Sequence, residues 1–371
     1  MSAASAPPTL RISTDGAALH VGPTAFSARL LLSVLPANFS VNSQRHAHAL
    51  PPPDTRVTLA ALRGDGAVQL TFSTGDEGLL TAAALAALVA PPAHPRAAWA
   101  AAAQPWPVKP AAPDAVPFET LSTPAGAAAA RAALAARGLV RVASAPSVLA
   151  VASALGVIFE TNYGRAFDVR AAPDPNNAAF SSAPLAPHTD NPYRTPVPGF
   201  QALACVAAAA RGGATTFVDG AALAAALRAA APAAYDALAR VDVEFAWAGA
   251  RAAHRATRRV LEADADGRLV SVHWNDRAQR APAAAGANDW FDAASAWSSL
   301  LSSGVHAISI ALAPGDAVIW DNRRLLHGRE AYEDGGGAAA PRWLQGAYVT
   351  EDSVLGAWAA ERAAQKTAAP L

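Results

Sequence analysis

A single cysteine, Cys205, in 371 residues excludes an intramolecular disulfide and any cysteine-rich zinc site. Ala202, Leu203, Ala204 and Val206 around it are apolar, so the thiol reads as a small buried hydrophobe. Net charge is also missing: 29 basic side chains balance 29 acidic ones, and only 16% of residues are charged. A neutral chain lacks the field that binds nucleic acid or an anionic membrane, which leaves a small molecule as the expected partner. No apolar run is long enough to span a bilayer, and residues 1–10 lack a basic start followed by a hydrophobic stretch, so a cytoplasmic protein is expected. No internal repeat is visible either, since the alanine runs are compositional.

What is present is apolar: hydrophobic residues make up 52% of the chain, much of it alanine, so the core must rest on Leu, Val, Phe and nine Trp. Residues 10–90 read as short strands and turns. Val68-Gln69-Leu70-Thr71-Phe72 alternates between turn signals at Asp65-Gly66 and Gly75-Asp76, and a short Ala/Leu helix capped by Thr81 follows. A small β-rich domain is therefore expected over residues 8–92. Eight prolines lie between Pro91 and Pro117, which predicts an extended connector over residues 93–117. Residues 118–371 form the main domain. Its helices are expected at 123–137, ending at Gly138, at 147–155, and at 221–240 with a break at Pro232. Strands are expected at 139–142, 200–206, 305–312, 316–320 and 343–350, with a hairpin over 258–272 turning at Asp266-Gly267. Early helices followed by strands predict an α+β fold, mainly β with flanking helices, built as a barrel or double-sheet jelly roll.

The chemistry gathers at His188-Thr189-Asp190. If residues 185–190 are extended, the period of two puts both side chains on one face, within reach of one ion. Two ligands leave a divalent metal underbound, and His327 is the best third candidate. Two histidines and a carboxylate with open positions form the facial triad of non-haem Fe(II) oxygenases. A lone His-x-Asp is weak support, because a hydrogen-bonded structural histidine is the commoner case. Arg342 begins a strand from which its guanidinium can clamp a carboxylate, although strand-end arginines are more often solvated. Thr215, after the Gly212-Gly213 turn, can add a hydroxyl, although threonine is ordinary in strands.

Together these parts resemble the Fe(II)/2-oxoglutarate dioxygenases of the taurine dioxygenase superfamily. Tyr163-Gly164, Asn176-Asn177, His188-Thr189-Asp190, Pro198-Gly199, Gly212-Gly213, Val218-Asp219-Gly220, Asp321-Asn322, His327-Gly328-Arg329 and Gly346-Ala347-Tyr348 resemble, in order and spacing, the γ-butyrobetaine and trimethyllysine dioxygenases. The resemblance covers the chain from about Val140 onward. It implies a double-stranded β-helix catalytic domain, with Fe(II) held by His188, Asp190 and His327. It further implies 2-oxoglutarate held by Arg342 and Thr215, O2 as oxidant, ascorbate as a candidate reductant, and a homodimer. An aromatic cage for a trimethylammonium group falls on Tyr163, Phe167, Phe180 and Tyr348, with Asn177 and Asn275 toward the substrate's anionic end. Read alone, such aromatics are ordinary core.

Two departures stand out. Asn191 replaces an aromatic cage member beside the substrate. With Arg194, Arg277 and Arg280 it could serve a more highly charged anion such as a phosphonate, although ordinary surface arginine is the favoured reading. The relatives' N-terminal domain carries a Cys3His zinc site, which this chain cannot build. His46 and His48 share a strand face there, but without thiolates a metal-free accessory domain is expected. The expected reaction is hydroxylation of a small quaternary-ammonium zwitterion, with γ-butyrobetaine to L-carnitine as the leading case. A trimethylammonio- or aminophosphonate, or trimethyllysine, is the alternative, and a binding protein with a dead iron site is a distant one.

Overall fold

Period-two burial shapes the N-terminal residues: along Val68–Phe72 every second side chain is fully buried. The computed structural model describes residues 9–40, 44–45, 50–90, 94–171, 181–250, 252–334 and 341–368. The chain divides into two units, Met1–Pro92 and Ala93–Leu371. In the first, the strands Leu10–Ile12, Ala18–Val21 and Thr24–Ser27 form one antiparallel sheet, and Val57–Leu62, Val68–Phe72 and Glu77–Leu80 form another. Leu19, Phe26, Leu31, Leu35, Leu70 and Phe72 close its core. Thr81 caps the helix Ala82–Val89 by accepting from Ala84 N at 3.1 Å. His46 and His48 lie outside the described residues.

The second unit is mixed α and β and rich in strands. One sheet has the strand order Ala115–Pro117, Leu139–Ala143, Ala317–Asp321, Phe200–Ala207, Trp343–Val349, Phe167–Arg170. The other has the order Leu185–His188, Leu325–Arg329, Thr215–Asp219, Ala307–Ile310. Leu203, Cys205, Val318 and Trp320 of the first pack against Phe217, Ile308, Ile310 and Leu325 of the second. Their sequence neighbours Phe200, Ala202, Ala204 and Ile319 point the other way, toward Leu134, Val151 and Trp358 of the helices Pro124–Arg137, Val148–Leu155 and Glu351–Ala368. On the far side of the smaller sheet, Val218 and Leu326 pack with Leu223, Leu238, Trp290 and Trp297 of three further helices. Each large apolar side chain buried this way contributes roughly 1.5–3 kcal/mol. Local signals set the ends: Thr123 accepts from Gly126 N at 3.0 Å, and Gly138 closes its helix at φ +78°. Pro232 splits the long alanine-rich helix into Gly220–Ala230 and Pro232–Arg240.

The stretch expected as a connector over 93–117 belongs instead to the second unit. Ala97–Ala101 is helical, and Ala115–Pro117 pairs in parallel with Leu139–Ala143. Arg96 is 1% exposed, ion-paired with Asp321 and Glu351, and donates from Nε to Val270 O at 3.0 Å. Trp99 Nε1 donates to Asp321 Oδ2 at 2.8 Å, and Trp106 Nε1 to Arg137 O at 2.8 Å. Proline content argued against regular structure, but three long side chains anchor the segment through contacts that composition does not register.

Candidate active site

The two histidines sit on paired strands. His188 ends Leu185–His188 and is the direct register partner of His327 in Leu325–Arg329, and their ring centroids lie 4.4 Å apart. Asp190 is placed differently from the expected shared strand face, because the strand ends at His188. Asn322, fully buried, takes over: its Oδ1 accepts from Asp190 N at 2.8 Å, and its Nδ2 donates to Asp190 O and Pro198 O at 3.0 Å. The carboxylate ends 3.2 Å from His188 Nε2 and 3.9 Å from His327 Nε2. One ligand atom from each of the three residues lies within 4.8 Å of the others.

The protonation states suit a divalent metal. His188 Nδ1 lies 2.9 Å from Ala186 O, to which its N–H can donate, and this turns Nε2 toward Asp190 and His327. Burial, aided by the adjacent His188, lowers the His327 pKa to about 3, so its imidazole is neutral. Burial opposes ionisation of Asp190, yet the two histidines and the Tyr348 hydroxyl, which donates to Oδ2 at 2.8 Å, hold it well below the usual carboxylate range. Two imidazoles and a carboxylate on one side of an open cavity are the donor set of the Fe(II) facial triad.

A cavity of about 440 Å³ opens from this cluster. Thr215 and Arg342, each 3% exposed, line it together. Arg342 Nη2 donates to Gly213 O at 3.0 Å, while Nη1 is buried without a partner among the described residues. An unmatched cationic N–H in a low-dielectric wall calls for an anionic acceptor. Gly213 makes room for it: at φ +74° a Cβ there would lie 2.9 Å from Arg342 Nε.

Part of the lining is aromatic. Phe167 lies 6.1 Å from Tyr163 and 5.1 Å from Tyr348 between ring centroids. Gly346 permits this, since a Cβ there would meet the Phe167 ring at 2.3 Å. Asn177 and Phe180 lie outside the described residues. Trp247 and Tyr193 join the wall, with Trp247 6.0 Å from Tyr163 and 6.1 Å from Tyr193. Neither was singled out from sequence; for Trp247 the only signal was its place on the alternating strand Val243–Ala248. Gln201, 2% exposed, also lines the cavity, and a lone amide in the apolar run Phe200–Ala207 was its signal.

The polar candidates divide. Asn191 lines the cavity at φ +57°, a left-handed conformation that asparagine tolerates, and its Oδ1 accepts from the Tyr193 hydroxyl. Asn275 also lines it, but its amide is engaged within the protein: Nδ2 donates to Thr189 O at 3.1 Å and Oδ1 accepts from Ala278 N at 3.2 Å. It therefore positions a turn. Arg194 is buried against Asn162 and is not a cavity residue. Arg277 and Arg280 are exposed, as favoured from sequence, and both also line the cavity.

The model of the Taurine catabolism dioxygenase TauD, TfdA family matches residues 104–348. The chain belongs to this family. The family match begins inside the proline-rich stretch that the structure places in the second unit. Among TauD/TfdA relatives, γ-butyrobetaine dioxygenase of Pseudomonas sp. (strain AK-1) is 34% identical over 217 residues, covering 56% of this chain and 54% of that protein. The Homo sapiens γ-butyrobetaine dioxygenase is 28% identical over 228 residues, covering 59% and 58%. The chain thus matches little more than half the length of these relatives. A taurine dioxygenase crystal structure from Burkholderia xenovorans shares the fold at a TM-score of 0.50 and 13% identity, covering 65% of this chain and 85% of that one.

Proposed function

We propose that this TauD/TfdA-family protein is an Fe(II)- and 2-oxoglutarate-dependent dioxygenase that hydroxylates a small quaternary-ammonium zwitterion. The observation that carries the reading is the His188, Asp190 and His327 cluster opening into the same cavity as the unmatched Nη1 of Arg342. His188, Asp190 and His327 would hold the iron, and Arg342 with Thr215 the distal carboxylate of 2-oxoglutarate. The bound iron supplies the coupled chemistry in which R–H, O2 and 2-oxoglutarate become R–OH, succinate and CO2. The two facing sheets support reading the catalytic unit as a double-stranded β-helix.

The protein's own part is positional. Tyr163, Phe167, Tyr348 and Trp247 offer ring faces to a cation that cannot donate hydrogen bonds, an attraction of roughly 2 kcal/mol when desolvated. Tyr348 also steadies Asp190 through its hydroxyl, so one side chain sets both the substrate wall and a ligand orientation. γ-Butyrobetaine, giving L-carnitine, is the leading substrate, because the relatives matched at 34% and 28% identity are named for it.

Anaerobic addition of Fe(II) and 2-oxoglutarate should produce the weak visible metal-to-keto-acid band; a folded, metal-loaded sample without it overturns the proposal. Substrate-dependent succinate release, with ascorbate present, then ranks γ-butyrobetaine against trimethyllysine and trimethylammonio- or aminophosphonates. A binding protein with a dead iron site would release none.

A further inference from the structure

The substrate reading above requires a receptor for the anionic end, and Asn275 offers at most one neutral N–H, since its Nδ2 already donates to Thr189 O and its Oδ1 accepts from Ala278 N. Its hydrogen bonds instead build the turn that carries Arg277. Gln279 N and Ala278 N both donate to Asn275 O, at 2.9 and 3.2 Å, closing the turn around Arg277. The turn is joined to the loop bearing the proposed iron ligands: Thr189 N donates to Trp274 O at 2.7 Å, Trp274 N to Thr189 Oγ1 at 3.0 Å, and Asn275 Nδ2 to Thr189 O at 3.1 Å. The backbone turn at Arg277 is thereby tied to Thr189, which lies between His188 and Asp190.

The cationic groups of the cavity differ in their commitments. Arg342 faces Gly213 and the proposed cosubstrate position, and Arg329 donates to Ser181 O and Ala183 O, each at 2.6 Å. Arg277 has Asp276 at 4.0 Å, an acid whose own side chain is 61% exposed. Arg280 follows three residues later on the same wall, with no ion pair among the described residues. With Fe(II), Asp190, Arg342 and a doubly charged 2-oxoglutarate in place, the charges around the metal sum to zero. Arg277, paired at 4.0 Å with the exposed Asp276, and Arg280, with no ion pair among the described residues, add positive charge to the lining of the space left for the primary substrate.

We propose that Arg277, supported by Arg280, is the receptor for the anionic end of the primary substrate, so that this enzyme selects an oxyanion-ended zwitterion by guanidinium pairing. A carboxylate and a phosphonate share the chemistry that a guanidinium recognises. The inference rests on the zwitterion reading above, and the ligands are chosen to separate the two.

The test is calorimetric titration of the full chain loaded with Mn(II) and 2-oxoglutarate. Three trimethylammonium ligands of equal chain length end in a carboxylate, a phosphonate or an uncharged amide. The wild type should bind the better charged ligand at least tenfold more tightly than the amide. Arg277→Gln should remove at least tenfold of that preference while changing amide affinity less than twofold, Arg277→Lys should keep most of it, and Arg280→Gln should remove a smaller part. Which charged end binds more tightly identifies the oxyanion. A wild type without preference for charge, or an Arg277→Gln variant that weakens all three ligands equally or none, overturns the inference. A fourth ligand carries an uncharged tert-butyl group in place of the trimethylammonium. If it binds as well as its counterpart, the quaternary-ammonium reading fails while the arginine result stands.

Discussion

Asn322 shows how one side chain sets a ligand's position. Its three hydrogen bonds hold the backbone of Asp190 and the carbonyl of Pro198, where the strand pairing that fixes His188 no longer reaches. Asn322→Ala would strand one buried N–H and two carbonyls, so urea unfolding should show a loss on the order of 2–4 kcal/mol. Metal affinity, read by equilibrium dialysis, should fall roughly 10–100-fold, as for other groups that orient ligands. Arg342→Ala tests the proposed cosubstrate clamp. The KM for 2-oxoglutarate should rise at least tenfold, whereas unchanged 2-oxoglutarate binding would remove Arg342 from the proposed clamp. The histidines and Arg342 were legible as residues because their chemistry is specific and their motifs recur at set spacing. Asn322 was visible only as half of Asp321-Asn322, since its role depends on contacts 132 residues away in the chain.

At the scale of elements, the proline-rich stretch carries the main lesson. Arg96 pairs with Asp321, the residue next to Asn322, so a segment that reads as a spacer supports the strand end behind the site. Arg96→Met would leave Asp321 fully buried without its cation, and breaking such a pair costs about 3–5 kcal/mol. A thermal melt should show the loss clearly; a shift of only a degree or two would return the stretch to connector status. The Gly212-Gly213 turn makes a finer prediction. Gly213→Ala puts a methyl group 2.9 Å from Arg342 Nε and strains a backbone at φ +74°, so it should weaken 2-oxoglutarate binding while substrate affinity changes little. Helix caps and sheet alternation were legible because they are set within a few residues. The helices Ala287–Ser302 and Glu351–Ala368 and the hairpin Val243–Ala248 with Ala253–Arg258 were not, because their burial is settled by what packs against them.

For the whole molecule, acid is the informative stress. His273 is 1% exposed beside Glu262 and Arg323, and burial, only partly offset by Glu262, lowers its pKa from 6.5 to about 4. The folded state therefore prefers the neutral ring, and the unfolded chain binds more protons between pH 6.5 and 4. Stability from this group is complete above pH 6.5 and is lost as pH falls, by up to about 1.4 kcal/mol per pH unit. Glu262, held down to about 2 by its hydrogen bond to His273 and by the charge of Arg323, extends the loss below its ordinary 4.5. Urea midpoints measured from pH 7 to 4 should fall, and His273→Asn should flatten the upper part of that slope.

The sequence by itself determined the candidate ligand set and the local elements. Ligand chemistry is a property of side-chain type, and caps, alternation and turns act over a few residues. Tertiary structure alone decided which polar groups face the cavity. It engaged the Asn275 amide internally, brought Arg277, Arg280, Trp247 and Tyr193 to the wall, and drew Arg96 under the site. Those outcomes depend on which buried hydrogen-bonding groups find partners across the fold, a matter settled by contacts between residues far apart in the chain.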